Sequence, residues 1–429
     1  MSIVKALRQL SVAIFLSTSC FLSLHAQSLP EINKGRLDLS KNDIGEMGTI
    51  DLSGEWEFYY HKLLFSADFH DEEWDAKYAE VPSIWNDMRY KGIMLNGRGY
   101  ATYRLIIKKD PEAKLLALYV PNVYTAYRLY ANGQLIASNG KVGKSKEEVE
   151  PQWKPTYTTF ISEDHELELI WQVANFHHHR GGIHKLLKLG TPEEVVKSQQ
   201  NIVAANLLSV GGLLVLGFFF IVFFFIRKGQ LATLYFGLFC LLWAVRILFS
   251  NIYLISELVN LPWSLSLRIE YLSLYASAMV GVLFITKSFK DIVKGLFKWI
   301  IITINYLFIA ITLILPPIFF TSLLPAYQFF LMINLVYIAV VVIQALQNKQ
   351  KEAWFSAAGI LVGILSFAYE LTAYIFMFKV NLIVLNLGYL AIFFLNSLVI
   401  AHHFVIAYQK INNLEREKED NFIRLRGIL

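Results

Sequence analysis

Cysteine is almost missing from this chain. The two present, Cys20 and Cys240, lie in the N-terminal leader and inside a long apolar run. Residues 28–200 contain none, so no disulfide can staple that stretch and its core must hold by packing. Its roughly 170 residues are enough for that. Charge is the second scarcity. Lys, Arg, Asp and Glu make up 17% of the 429 residues, against roughly 25% in an ordinary soluble domain. Apolar types reach 55% and mean hydropathy is +0.44. The excess is uneven: residues 28–200 read as a soluble domain, and 202–408 are almost continuously apolar. The net charge of +5 therefore predicts no nucleic-acid partner. Most Lys and Arg of the second half stand between apolar runs, where orientation signals belong, and the partner implied is a lipid bilayer.

The N-terminus carries Lys5 and Arg8, then the apolar stretch Leu10–Leu24, then Ala26-Gln27. This is the pattern of a secretory signal peptide covering residues 1–26. Two alternatives stand beside it. Ser17-Thr18-Ser19-Cys20 could be a lipoprotein cleavage site, although the apolar Phe21–Leu24 that follows argues against it. The leader could also stay as a signal anchor.

A membrane helix needs about 20 predominantly apolar residues. Seven runs qualify: Ile202–Ile226, Leu231–Ile255, Leu265–Thr286, Trp299–Phe320, Ala326–Leu346, Trp354–Phe378 and Leu382–Tyr408. Arg227, Lys228, Lys287, Lys290, Lys294, Lys298, Lys349, Lys351, Lys410, Arg416 and Lys418 all fall on one side of them. The opposite loops carry only Lys379. Positive charge stays in the cytoplasm, so the soluble domain is expected in the periplasm and the C-terminus in the cytoplasm. The signal peptide requires the same topology independently. The expected localisation is the inner membrane, with a periplasmic domain over 45–192, a seven-span domain over 200–408 and a cytoplasmic extension over 409–429.

Residues 50–190 have the grammar of β structure. Short alternating segments such as Gly54–Tyr59, Tyr100–Ile107, Leu115–Val120 and Glu166–Val173 are separated by turn signals such as Asp110-Pro111, Pro121-Asn122 and Gly181-Gly182. Many short strands so punctuated predict an all-β sandwich or barrel. Asn132-Gly133 between Leu129-Tyr130 and Leu135-Ile136 predicts a tight hairpin, because both turn positions want positive φ.

Five motifs recur in order: Gly54-x-Trp56, Val81-Pro82-x-x-Trp85, Gly99-Tyr100-x-x-Tyr103-Arg104, Tyr130-x-Asn132-Gly133 and Val173-x-Asn175. The series resembles the galactose-binding-like jelly roll, the sugar-binding module at the front of β-galactosidase-type enzymes. Joined to seven spans, it is similar to the bacterial seven-transmembrane receptors with diverse intracellular signalling modules, 7TMR-DISM. The segment Arg268-x-Glu270-Tyr271 through Tyr275 looks like that family's third span, and Leu387-Gly388-Tyr389 through Tyr408 like its seventh. The resemblance covers about residues 45–425. The fold class it implies is a seven-helix membrane bundle preceded by an all-β jelly roll. The function it implies is a receptor for a small extracytoplasmic ligand, a sugar by fold analogy, relaying to a cytoplasmic kinase, phosphatase or cyclase. Fold does not by itself fix function. No effector domain follows Leu429, a departure from the typical member that leaves signalling to a partner or to a longer protein.

No hydrolase site is visible, so no enzyme activity and no cofactor are expected. The densest polar cluster before the spans is His177-His178-His179-Arg180 with His184. Consecutive histidines on an extended chain point opposite ways, so three could not hold one metal without a bend, and no metal site is assigned. Ligand contacts by His177, His179 and Arg180, or a solvated loop, are the other readings. Trp85, Tyr124 and Trp153 stand in loops and could stack on a flat ligand, whereas Trp56 and Tyr103 fit strand patterns of a core.

Ionisable groups inside a membrane are costly and usually functional. Arg246, Arg268, Glu270 and Glu370 all fall in the outer half of the expected bilayer. Arg246 facing Glu270 or Glu370 would be either a two-state element or a static clamp between helices, and Arg268 could instead snorkel outward. His402-His403 sit near the inner end of the seventh run and read as interfacial. That run has no lysine, which excludes a retinal Schiff base. The tail alternates charge over Glu415–Asp420 around Ile411, Leu414, Phe422, Leu425 and Ile428. It reads as a helix with weak coiled-coil character, suited to a homodimer, or as a solvated helical end. The rival functions are a transporter or channel with an accessory domain, and a membrane-anchored carbohydrate-binding module.

Overall fold

The computed structural model describes residues 31–71, 74–226, 230–250, 252–290, 292, 295–375 and 381–426. The signal-peptide expectation lies outside these residues. So do the side chain of Glu370 and those of the tail beyond Lys418.

The eleven principal strands are β1 (Arg36–Asp38), β2 (Ile50–Asp51), β3 (Gly54–Tyr60), β4 (Lys77–Val81), β5 (Gly99–Lys108), β6 (Leu115–Val120), β7 (Ala126–Ala131), β8 (Gln134–Asn139), β9 (Thr156–Ile161), β10 (Glu166–Asn175) and β11 (Lys188–Gly190). One sheet runs β8-β7-β10-β5-β3-β4, with β1 parallel to β5 beyond the end of β3; the other runs β9-β6-β11-β2. The two sheets enclose one core in the jelly-roll manner. Trp56, Tyr103, Tyr127 and Trp171 are fully buried there, with the β6 residues Leu116, Leu118 and Val120. Alternation explains the register: in β5 the inward residues Tyr103, Leu105 and Ile107 are buried, while Arg104 between them lies on the other face. Arg104 there bridges Glu57 at 3.2 Å and Glu168 at 2.6 Å across three strands. The β7–β8 turn has Asn132 at φ 45° and Gly133 at φ 78°, the two positive values its sequence demands.

Trp85 was a candidate for ligand stacking. It is instead fully buried in this core, packed edge-on to Tyr60 at 6.0 Å. The short turn Trp85–Asp87 pins the loop after β10: Trp85 N–H donates to the Gly181 carbonyl at 3.0 Å, and Gly181 N–H donates to Asn86 Oδ1 at 2.9 Å. A Cβ at Gly181 would sit 2.0 Å from Trp85 Nε1 and 2.3 Å from the Gly97 carbonyl oxygen. Gly181→Ala is therefore expected to displace a core indole, at a cost of about 1–3 kcal/mol or more. Thermal unfolding of the full chain checks this, and an unchanged midpoint would refute the close packing.

Among the described residues seven long helices follow: α1 (Pro192–Ile226), α2 (Leu231–Phe249), α3 (Trp263–Ser288), α4 (Gly295–Ile314), α5 (Leu324–Gln347), α6 (Ala353–Ile375) and α7 (Leu382–Arg426). Six are long and apolar enough to cross a membrane, and α6 supplies a shorter apolar stretch, Ala353–Ser366. The bundle closes on itself: α1 packs on α2, α2 on α3, α3 on α4 and α5, α5 on α6, α6 on α7, and α7 back on α1. Gly217 and Gly237 let α1 and α2 touch through their backbones, since a Cβ at Gly237 would lie 2.9 Å from the Gly217 carbonyl oxygen. Large side chains such as Val215, Phe218 and Phe329 point outward and are more than half exposed, as a lipid-facing surface requires.

Some boundaries depart from the sequence reading. Helix α1 begins ten residues before the first apolar run, directly after β11. The fourth run breaks at Pro316-Pro317 into α4 and a short helix, Pro317–Ser322, because proline cannot continue a helix. The seventh continues past Tyr408 into the helical tail, as its sequence suggests, and forms one helix of 45 residues to Arg426. At 1.5 Å per residue that is about 68 Å, more than twice the bilayer core.

Candidate functional site

The loop after β10 is built on Asn175. Its fully buried amide nitrogen lies 2.5, 2.8 and 2.9 Å from the carbonyls of Gly97, His178 and Arg180. Its Oδ1 accepts the N–H groups of His177 and His178 at 3.2 and 3.0 Å. This curls residues 177–180 back on themselves and sends the three histidines apart. His177 Nε2 lies 3.0 Å from the Val149 carbonyl, tying down the 144–150 loop. His179 is exposed, and its N–H donates to Thr321 Oγ1 at 3.2 Å, a direct link from the β domain to the helical domain. His178 turns inward. Among the described residues no group of three His, Cys, Asp or Glu could hold a metal.

His178 lies on one face of Tyr124 at 4.3 Å and 9°, and His184 on the other at 4.0 Å and 19°. Arg180 stands beside the Tyr124 hydroxyl. Trp153 packs on His178 and anchors its indole N–H on the Val123 carbonyl at 2.8 Å. It also meets Tyr253 at 5.3 Å and Trp263 at 5.7 Å, which belong to the loop after α2 and the start of α3. An aromatic seam thus joins the two halves of the chain.

Behind the seam lies a cavity of about 220 Å³. One wall comes from β-domain loops: Asn122, Tyr124, Trp153, His178, His184 and Lys185. The other comes from helix ends and the intervening loop, with Arg246 of α2, Tyr253, and Glu270, Tyr271 and Leu274 of α3. Lys185 donates to Asn122 Oδ1 at 3.0 Å. Burial pushes its ammonium down to about 8, with Glu270 pulling the other way. Burial pushes His178 down to about 3 and His184 well below its ordinary value. Both rings are therefore neutral. His178 Nδ1 lies 3.0 Å from the Arg180 backbone nitrogen and 3.1 Å from its carbonyl oxygen.

The expected membrane cluster divides. Arg246 and Glu270 line the same cavity, but not as a direct ion pair: Arg246 Nη1 donates to the Glu270 backbone carbonyl at 3.3 Å. The Glu270 carboxylate accepts a hydrogen bond from the Tyr253 hydroxyl. Arg268 points elsewhere. It donates to the Thr312 carbonyl of α4 and lies 5.3 Å from the Phe320 ring centre, fastening α3 to the broken fourth span. Arg268 and Glu270 separate because a helix turns about 100° per residue, so positions 268 and 270 cannot share a face.

Lys185, Asn122 and Tyr253 were not singled out in the sequence. Lys185 follows the histidine cluster directly, and that proximity was the one local signal. A second unforeseen contact lies at the far end of the bundle. The buried Glu352, immediately before α6, takes His402 at 3.4 Å and His403 at 3.1 Å. Adjacent histidines facing about 100° apart here straddle one carboxylate.

An all-β jelly roll is thus set on a seven-helix bundle, with a shared polar cavity at the joint. Residues 203–403 match the family model described as 7TM diverse intracellular signalling. The match lies within the membrane domain, and the chain is a multi-pass membrane protein. No curated protein matches the chain. Solved structures with local likeness include a β-glucuronidase from an uncultured Clostridium (18% identity, 34% of this chain and 29% of that one, TM-score 0.26). A β-galacturonidase from Eisenbergiella tayi bound to galacturonate is similar at 17% identity, over 33% and 24%, with TM-score 0.24. A Faecalibacterium prausnitzii β-glucuronidase is similar at 15% identity, over 34% and 31%, with TM-score 0.27. This chain spans less than a third of the length of each enzyme.

Proposed function

We propose that this protein is a non-enzymatic transmembrane receptor. A small ligand enters the cavity between the periplasmic jelly roll (residues 45–192) and the seven-span domain (200–408). The cytoplasmic extension (409–429) passes the resulting state to an effector of kinase, phosphatase or cyclase type. The signal peptide 1–26 and the distribution of Lys and Arg support an inner-membrane location with the C-terminus in the cytoplasm. The observation that carries the reading is the shared wall. A ligand in the cavity touches β-domain loops and the ends of α2 and α3 together, so it can favour one placement of the two halves over another.

Helix α7 gives the relay its path. It runs without a break from the end of the bundle near the β domain into the tail, where Ile411 and Leu414 are about half exposed. An apolar stripe of that kind suits a parallel homodimer. Sugars are the ligand class that the jelly roll suggests by analogy.

The test uses the full chain in lipid nanodiscs with a spin label at Leu414→Cys, after both native cysteines are replaced by alanine. Sugars and small metabolites are first screened for a rise in melting temperature, which a ligand of the folded state produces by mass action. A binding compound is expected to move the label–label distance distribution. Binding without any change at position 414 would overturn the relay.

A further inference from the structure

A second pocket, of about 320 Å³, shares Trp153 and Tyr253 with the cavity and is otherwise separate from it. Lys154 reaches it from the loop before β9, Val259 and Asn260 from the connection between α2 and α3, and Trp263 and Ser266 from the first turn of α3. Helix α3 is long and apolar enough to cross a membrane, so its first turn stands at the boundary between hydrocarbon and water. Tryptophan and tyrosine are enriched at that level. Here the rings pack edge to face, Trp153 on Tyr253 at 5.3 Å and on Trp263 at 5.7 Å, and form a closed wall rather than an open cage. The Trp263 indole N–H is buried and has no hydrogen-bond partner among the described residues. Lys154 stands 3.9 Å from Glu257 of the connection between α2 and α3, and both side chains are exposed. Such a pair contributes little to stability, and each charge can turn to another partner of opposite sign. Val259, its neighbour Leu258, and Leu265 beside Ser266 are also exposed, Leu258 by 74%. Aliphatic side chains grouped at the membrane boundary mark a surface that lipid covers.

We propose that this second pocket binds the headgroup of a phospholipid of the phosphoethanolamine type. The phosphate meets the Lys154 ammonium and the Trp263 N–H. The primary ammonium donates to the Glu257 carboxylate and the Asn260 side-chain carbonyl, and the acyl chains leave over Leu258, Val259 and Leu265. Charge pattern selects the headgroup, since a cation beside an anion matches a phosphate and an ammonium joined by two carbons. An anionic glycerol headgroup would set its phosphate near Glu257 with no cation of its own to answer that carboxylate. A choline headgroup has no N–H to donate, and rings packed edge to face offer it no aromatic cage. A free sugar would leave the exposed aliphatic side chains uncovered. Because Lys154 belongs to the β domain and Glu257 to the helical domain, a bound lipid bridges the two halves. The binding does not depend on the receptor reading.

The test places the full chain in nanodiscs made of phosphatidylethanolamine, phosphatidylcholine and phosphatidylglycerol in equal amounts, all with the same acyl chains. Native mass spectrometry then counts the lipids that stay bound. Phosphatidylethanolamine is expected to be retained about 5-fold over either of the others, the weight of one charged contact at a membrane surface. Lys154→Gln and Glu257→Gln are each expected to remove most of that preference. Both side chains are exposed, so neither change endangers the fold. Lys77→Gln serves as control. It breaks another exposed pair, with Asp75 at 3.4 Å, that does not line the pocket, and is expected to leave the preference unchanged. Soluble glycerophosphoethanolamine, added to the chain in phosphatidylcholine nanodiscs, separates a free headgroup from a lipid. It is expected to leave the melting temperature unchanged. Equal retention of the three lipids, a preference for the choline or glycerol headgroup, an undiminished preference in both glutamine variants, or a rise in melting temperature from the soluble headgroup would each overturn the lipid site. Displacement of the retained lipid by galactose would overturn it too and give the pocket to a sugar. The receptor reading is judged by movement of the label at position 414, and the lipid count is independent of that movement.

Discussion

Replacing Trp153 by alanine is expected to cost the full-length protein about 3–5 kcal/mol, the usual range for removing a buried aromatic. The loss should fall on the joint rather than on the β core. Trp153 is 9% exposed, and its ring packs against His178 on one side and Tyr253 and Trp263 on the other. Truncation removes those contacts and leaves the Val123 carbonyl without its indole donor at 2.8 Å. Hydrogen exchange would report the result, with faster exchange in the loop around Tyr253 and in the first turn of α3, and unchanged protection in β5 and β10. Trp153→Phe keeps most of the area and loses the hydrogen bond, so about 1 kcal/mol is expected. Accelerated exchange throughout both sheets would show that Trp153 belongs to the sandwich core and not to the joint.

Acid is expected to open the same joint. His178 is 3% exposed and its folded value is pushed from 6.5 down to about 3, first by burial, with Arg180 adding repulsion. A folded value below the unfolded one means that the unfolded chain binds the proton first. Stability is therefore whole above pH 6.5 and falls as pH drops from 6.5 toward 3. At pH 4.5 His178 alone accounts for about 3 kcal/mol, two units at about 1.4 kcal/mol each. His184, on the opposite face of Tyr124, is shifted in the same direction. Melting temperatures of the full chain between pH 7.5 and 4.5 should show this slope, and His178→Gln should flatten it. An identical slope in the variant would assign the acid sensitivity to other groups.

Much of the architecture was legible because its signals are local. Strand alternation over Gly54–Tyr60 and Gly99–Lys108 comes from the two-residue repeat of a pleated chain. The turn at Asn132-Gly133 comes from the φ angles those residues tolerate. The membrane spans come from runs of apolar residues that water would not accept. Trp85 shows where local signals end. It follows a proline and precedes a polar stretch, as a loop residue would, yet the loop at Gly181 folds over it and closes the core. The histidine run was legible as a polar cluster, but its dispersal by Asn175 was not, since that hub joins residues as distant as Gly97 and Arg180.

The amino-acid sequence alone determined the division into a β domain and a membrane bundle, the expected orientation in the bilayer and the strand grammar. Each follows from the chemistry of neighbouring residues, either their hydropathy, their allowed backbone angles or the charge flanking a span. Tertiary structure alone decided that Tyr124, Trp153, His184 and Lys185 from one half meet Arg246, Tyr253 and Glu270 from the other around one cavity. It also decided that Arg246 reaches a backbone carbonyl instead of a carboxylate, and that Glu352 gathers both His402 and His403. These pairings join positions from 24 to 51 residues apart in the helices and farther still across the joint. Which groups meet there depends on how helices and loops dock, and docking is a property of whole packed surfaces that no short stretch of sequence encodes.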